Sequence, residues 1–389
     1  DNIPIDMKGR TLIVAFPAGF NLTPQLGVTE VGDITYRSWK NAEEKYNCKF
    51  EFVPVTGDSY TVVNTMVTNM MAGVKFADIL HNATKAIFPT LVVNNLIEPI
   101  SAYMDFNNTA FFSDTAKTLG AWKGELYGIA GNYCIPCPGV WFNRDIFARE
   151  GAPEPHDLYD SGLWNWESFI SIAQMLTKDT DGDGIVDLWG ITTYDSIIEF
   201  ILSFFYSNSA YIVGESSGEF YNAIKEPRSQ RVLMLISDMC NVYKILDRNS
   251  VKNKAMMKTR FIQGNAAMVL GANAGAGPSI ITSLNNVGYI VMPKGPDWDG
   301  TVKGYTLTDN IWVFPVGNTD IKDIVEITKD AISIWDTSKS EYVSEEKIYR
   351  EKAQTYFVNQ RDIDAWVNVV MSGSIKRMYD MEFNTASNY

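Results

Sequence analysis

Four carboxylates stand close together in Asp179-Thr180-Asp181-Gly182-Asp183-Gly184-Ile185-Val186-Asp187. Asp179, Asp181, Asp183 and Asp187 occupy positions 1, 3, 5 and 9 of a loop whose sixth residue is Gly184. That pattern converges oxygen ligands on one hard cation: the glycine permits a sharp turn, and the carbonyl of Ile185 serves at the seventh position. Gly190 stands at the twelfth position, where a bidentate Glu is usual, so a further ligand must come from water or elsewhere. Four carboxylates this close repel one another unless a cation neutralises them. The expectation is a structural calcium ion; the alternative is a solvated acidic turn.

Weaker constellations surround this loop. Cys134-Ile135-Pro136-Cys137 has redox spacing, but a redox dithiol opens a helix and a strand pattern follows here. A local disulfide and free packed thiols both stay open. Gly271-Ala272-Asn273-Ala274-Gly275-Ala276-Gly277 lacks the Gly-Lys-Ser/Thr ending of a phosphate loop. It reads as a ligand-touching loop or an ordinary one. The chain has 2 histidines, His81 and His156, so a His-rich metal centre is excluded and a serine triad would have to recruit one of them. His81, just past a strand end, is a ligand-facing residue or a satisfied loop histidine. His156, in the Pro-rich 152–157 turn, reads as a surface residue.

These residues need elements to position them. Thr11–Phe16 is an apolar run ending at Pro17, a buried strand. Ile34, Trp39, Ala42 and Tyr46 mark a helix face, Cys48–Val55 alternates as a strand, and Tyr60–Met71 is amphipathic up to Gly73. Ala77–Leu80 is the next strand. This β-α-β-α-β order implies a parallel sheet with ligands at the carboxyl ends of its strands. Further on, strands are expected at Gly139–Phe142, Ala266–Leu270, Val287–Met292 and Asn310–Val316. Helices are expected at Arg144–Glu150 and Trp166–Leu176, through most of Ile197–Met257, and at Asp320–Trp335.

Length and charge bound the function. The chain has 389 residues, enough for two domains. Its net charge of -13 disfavours a phosphate backbone, so nucleic acid is not an expected partner. No apolar run is long enough to span a membrane. No signal peptide begins the sequence, which fits a cytosolic protein or a mature, trimmed form. Aromatic residues make up 13% of the chain, a fraction that leaves some rings to face a ligand.

Several segments, in order, resemble the extracellular solute-binding proteins of ABC importers, and specifically the sugar-binding family that includes maltose-binding protein. They are Lys123-Gly124-Glu125-Leu126-Tyr127-Gly128, then Val140-Trp141-Phe142-Asn143-Arg144-Asp145-Ile146-Phe147. Trp164-Asn165-Trp166-Glu167-Ser168-Phe169, the acidic loop, and Arg260-Phe261-Ile262-Gln263-Gly264-Asn265-Ala266-Ala267-Met268 follow. The C-terminal end matches only as a helical region. The resemblance implies an α/β, two-lobe periplasmic-binding-protein fold (type II) with a hinge and a ligand cleft. Lobe one would hold 1–138 and 289–320; lobe two would hold 139–288 and 321–389. It implies a monomeric, non-catalytic protein that binds a carbohydrate, an oligosaccharide, and passes it to ABC permease subunits. It also implies an extracellular or periplasmic location with a lipid anchor in the precursor. Another small polar solute, or a calcium-containing secreted carbohydrate-active enzyme, are the alternatives. From family positions and strand ends, the expected ligand residues are Phe16, Asp58, Ser59, His81, Asn82, Asn132 and Tyr133 in lobe one. Tyr194, Glu199, Tyr206 and Asn273 are expected in lobe two, with Asn310 and Trp312 on the returning strand. Trp141 is expected either at the cleft or packed in the crossover.

Overall fold

The computed structural model describes residues 5–20, 22–23, 25–104, 119–130, 139–194, 197–216, 219–247, 253–270, 277–300, 310–336 and 338–371. The main strands in chain order are β1 (Arg10–Pro17), β2 (Cys48–Val55), β3 (Ile79–Ala83), β4 (Gly128–Ala130), β5 (Gly139–Asn143), β6 (Trp189–Thr193), β7 (Ala266–Leu270), β8 (Val287–Val291) and β9 (Asn310–Val313). The chain divides into two compact units, Asp1–Cys134 with Thr308–Ile348, and Ile135–Leu307 with Tyr349–Tyr389.

In the first unit the sheet order is β2-β1-β3-β9-β4. β1 runs parallel to β2 and β3, whereas β9 is antiparallel to β3 and to β4. The helix α1 (Glu30–Tyr46) joins β1 to β2. It starts where the Thr29 side chain accepts from the Gly32 N–H at 3.0 Å, with Glu30 and Asp33 placed favourably in the first turn. It stops at Asn47, which takes a left-handed conformation with φ 48°. Ile34, Trp39, Ala42 and Tyr46 form its buried stripe. α2 (Ser59–Met71) is capped by Asp58, whose carboxylate accepts from the Thr61 N–H at 2.8 Å.

The second unit has a sheet of order β8-β5-β7-β6. Its strands are buried on both faces, and alternation sorts the side chains. Val140, Phe142, Met268, Leu270 and Ile290 join one core with Trp164 and Phe169 of the α3 (Trp166–Met175) region and Phe200 and Phe204 of α4 (Ile197–Ser207). Trp141, Val269 and Tyr289 join the other with Tyr356, Trp366 and Val370. Trp141 therefore packs in the core, 5.4 Å from the Tyr289 ring.

Three sequence expectations change here. First, β8 pairs with β5 in the second unit, although the resemblance places 289–320 in lobe one. Second, α5 (Ile321–Ile332) belongs to the first unit rather than the second. Arg10 at the start of β1 bonds Asp78 and Asp320, both at 2.5 Å, and Asp320 begins α5. At the other end of α5, Asp330 accepts from Lys45 and Tyr46 of α1. The helix ends at Ile332 because Ile334 turns left-handed, with φ 44°, and Trp335–Asp336 pairs with Glu341–Tyr342 as a hairpin. Third, the helical stretch expected over Ile197–Met257 is interrupted by a hairpin, Val213–Ser216 with Glu219–Asn222.

Candidate functional site

Strand register collects several expected ligand residues. Trp312 of β9 lies opposite His81 of β3, and Asn310 lies opposite Ala83. Opposed residues share a sheet face, so Asn310, Trp312 and His81 share one. Val14 and Ala15 of β1 pair with Ile79 and Leu80 of β3, and this register carried on places Phe16 level with His81. Phe16, His81 and Trp312 therefore form a row across three strands. The His81 and Trp312 rings lie 4.2 Å apart, Trp39 of α1 lies 5.5 Å from Trp312, and Phe20 meets His81 edge-on at 6.1 Å.

His81 and Trp312 are each 7% exposed. Burial pushes the His81 imidazole down to about 3, because a charged ring would lose its hydration there. His81 is thus neutral at physiological pH, and among the described residues its Nδ1 has no hydrogen-bond partner. The Oδ1 of Asn310 is also buried and has no partner among the described residues, although the residue as a whole is half-buried. Unmet hydrogen-bonding capacity of this kind is uncommon in a folded interior.

Asn82 faces the other side of the sheet. Its Nδ2 donates to the Ser59 carbonyl at 3.0 Å, and its Oδ1 accepts from the Ala83 N–H at 2.8 Å. It thus holds the N-terminal end of α2 against β3. Asp58 is exposed, and hydrogen bonds from Thr61 hold its carboxyl below the usual carboxylate range. Its visible work is capping α2.

In the second unit, α4 has two faces. Phe200, Phe204 and Phe205 enter the main core. Glu199 and Tyr206, seven residues apart, lie on the other face with Leu202, beside Tyr211 and Ile212. Tyr194 follows β6 and is buried in the Trp141–Trp366 core. Asn132, Tyr133 and Asn273 lie outside the described residues, as do Cys134, Cys137 and Gly271–Ala276.

The acidic loop follows α3. Ligand oxygens of Asp179, Asp181 and Asp187 come within 4.8 Å of one another. Asp183 instead accepts from the Ile185 N–H at 2.7 Å. Asp179 accepts from Gly184 and Gly182, and Asp187 accepts from the hydroxyl and N–H of Thr180. Those bonds hold both carboxyls below their ordinary range. Gly182 and Gly184 take φ of 81° and 88°, the conformation glycine admits most readily. A hard divalent cation fits three exposed carboxylates gathered this way.

Sequence reasoning missed a second cluster. His156 is not a surface residue: it is 3% exposed, within the helix Pro155–Asp160. Its Nε2 meets Asp362 at 2.9 Å, and Asp362 also takes both terminal nitrogens of Arg144 and the Tyr289 N–H. No local signal marks this cluster, because its members come from four separated segments.

Two α/β units, each made of chain segments that the other interrupts, define the two-lobe class of solute-binding folds. The chain belongs to the bacterial extracellular solute-binding protein family, whose model matches residues 39–322. It is similar to a cyclo/maltodextrin-binding protein solved with maltotetraose: TM-score 0.67 and 16% identity, covering 93% of this chain and 85% of that one. It is also similar to the GacH receptor of Streptomyces glaucescens, solved with acarbose: TM-score 0.57 and 13% identity, covering 95% and 84%. An ABC substrate-binding protein of Listeria monocytogenes in complex with cycloalternan gives TM-score 0.57 at 11% identity, covering 97% and 87%. Among the described residues no helix is long and apolar enough to cross a membrane.

Proposed function

We propose that this protein binds an oligosaccharide outside the cell membrane and delivers it to the permease of an ABC importer, without catalysis. One observation carries the reading: a family match over residues 39–322, on a fold shared with proteins solved with maltotetraose, acarbose and cycloalternan. The row of Phe16, His81 and Trp312 supports it, with the partnerless Asn310 Oδ1 beside it. Rings can cover the apolar face of a sugar, and each buried hydroxyl needs a polar partner. Glu199 and Tyr206 of α4 belong to the same reading, as does a lipid anchor on the precursor.

The acidic loop belongs to the proposal as a structural calcium site, with Asp179, Asp181 and Asp187 as side-chain ligands. Asp183 and the Ile185 carbonyl complete the set in the cation-loaded loop.

The deciding experiment is calorimetric titration with a panel of maltodextrins and cyclic oligosaccharides, with product analysis after prolonged incubation. Saturable binding of an intact sugar is expected. Conversion to products would overturn the non-catalytic reading; failure of the whole panel to bind, with a different polar solute binding, would overturn the carbohydrate reading.

A further inference from the structure

A cavity of about 320 Å³ opens in the first unit, and none of the strand-row residues lines it. One wall is a single face of α1. Ser38, Asn41, Ala42 and Lys45 are spaced as neighbours on a helix. The room exists because Ser38 and Ala42 are small; a larger side chain at 42 would fill it. The opposite wall is Asp330 in the last turn of α5. The third is the hairpin, where Trp335 and Tyr342 are directly paired and their rings meet edge-on at 4.6 Å.

The walls are pinned to one another. The Trp335 N–H donates to Ser38 Oγ at 3.2 Å, tying the hairpin to α1. Lys45 Nζ and Tyr46 Oη donate to Asp330 Oδ2 at 2.6 and 2.5 Å. Both donors use Oδ2, and among the described residues nothing bonds Oδ1. One cation and one anion line the space, so the lining carries no net charge to attract an ion. It offers an indole and a phenol ring, a free carboxylate acceptor, an exposed amide at Asn41 and an ammonium donor. Rings beside a few convergent polar groups, at the lower end of ligand-pocket volumes, suit one small neutral ligand.

We propose that this cavity is a second, low-affinity ligand site for a neutral polyol the size of one pyranose ring. The apolar face of the ring lies on Trp335, and vicinal hydroxyls bond Asp330 Oδ1, Asn41 and Lys45. This site stands on its own residues and does not depend on the oligosaccharide reading.

The test uses the full chain labelled on its tryptophan indoles, titrated with D-glucose and, separately, D-galactose at millimolar concentrations, with Trp335 assigned through Trp335→Phe. A saturable shift of the Trp335 indole signal is expected with at least one sugar. Asn41→Ala, at an exposed helix position, should weaken it about tenfold at unchanged melting temperature. Ala42→Leu should abolish it by filling the space; its melting curve reports whether the fold survives, and Asn41→Ala decides if it does not. An unmoved Trp335 signal with both sugars, or a shift equally strong in Asn41→Ala, overturns the proposal. Maltodextrin binding that leaves Trp335 unmoved separates failure here from failure of the oligosaccharide reading.

Discussion

His156 and Asp362, separated by 206 positions, meet at 2.9 Å inside the second unit, where they are 3% and 1% exposed. Asp362 sits in α6 (Gln360–Met371), near the end of the described chain. Burial opposes its ionisation most strongly. Hydrogen bonds from His156, Arg144 and the Tyr289 N–H overcome that and hold its carboxyl below the usual carboxylate range. Arg144 also bonds Glu154, so a single buried aspartate ties α6 to β8 and to the helices Arg144–Glu150 and Pro155–Asp160.

Removing that charge leaves Arg144 without its buried partner. Asp362→Asn should therefore destabilise the chain by about 3–5 kcal/mol, read as a shift of the urea midpoint. The carboxyl is lowered in the folded state, so its contribution is present above the unfolded value of about 3.9 and is lost as pH falls through the folded one. The gap between wild type and variant should narrow below that point. A gap that stays constant into strong acid would show that packing, not ionisation, carries the effect.

His81 makes a prediction in a different pH window. Its folded value of about 3 lies below the unfolded 6.5. Stability from keeping it neutral is fully present above 6.5 and falls as pH drops toward 3, by up to about 1.4 kcal/mol per pH unit. His81→Phe keeps a ring beside Trp312 and removes both the titration and the partnerless Nδ1. Its denaturant midpoint should match or exceed wild type at neutral pH and lose the slope between pH 6.5 and 4. Parallel decline of the two proteins in that window would refute a buried, neutral His81.

What the sequence revealed depended on range. Strands β1 and β2 and helix α1 are legible because their periodicities are local: Ile34, Trp39, Ala42 and Tyr46 fall on one face wherever that helix packs. β3 is shifted: expected at Ala77–Leu80, it runs Ile79–Ala83, so His81 lies within the strand rather than past its end. The family resemblance was legible because its motifs are local too. His156 was misread because 152–157 carries two prolines, a turn signal, while its partner lies more than two hundred residues away. The place of α5 in the first unit is hidden for the same reason, since Arg10, which bonds Asp320, lies some three hundred residues away. Position along a strand does not tell one sheet face from the other. Register separates His81 and Trp312 from Asn82.

Asn310 and Trp312 share the β9 face but should behave differently. Asn310 is half-buried with an unmatched Oδ1. Asn310→Ala should cost little stability and weaken oligosaccharide binding about tenfold in calorimetry. Trp312 packs on Trp39 and His81, so Trp312→Ala should lose about 3–5 kcal/mol of stability. Its affinity is interpretable only alongside Trp312→Phe, which fills most of the same space. Unchanged affinity in Trp312→Phe and in Asn310→Ala would remove this face from the ligand site.

The acidic loop yields the last prediction. Three exposed carboxylates within 4.8 Å repel one another when ionised, and hydrogen bonds from the Gly184 and Gly182 N–H groups to Asp179, and from the Thr180 hydroxyl and N–H to Asp187, keep these two ionised to lower pH than free carboxylates. Calcium should therefore raise the melting temperature with saturable, single-site binding in calorimetry, and a chelator should reverse it. Asp179→Asn should abolish the calcium-dependent increment while leaving the calcium-free melting temperature equal or higher, because repulsion falls with the lost charge. Gly184→Ala, at φ 88°, should destabilise the loop by about 1 kcal/mol even without calcium. Oligosaccharide affinity at moderate temperature should survive chelation. If it vanished while the fold persisted, the cation would have to take part in ligand binding itself, and a purely structural role would be excluded.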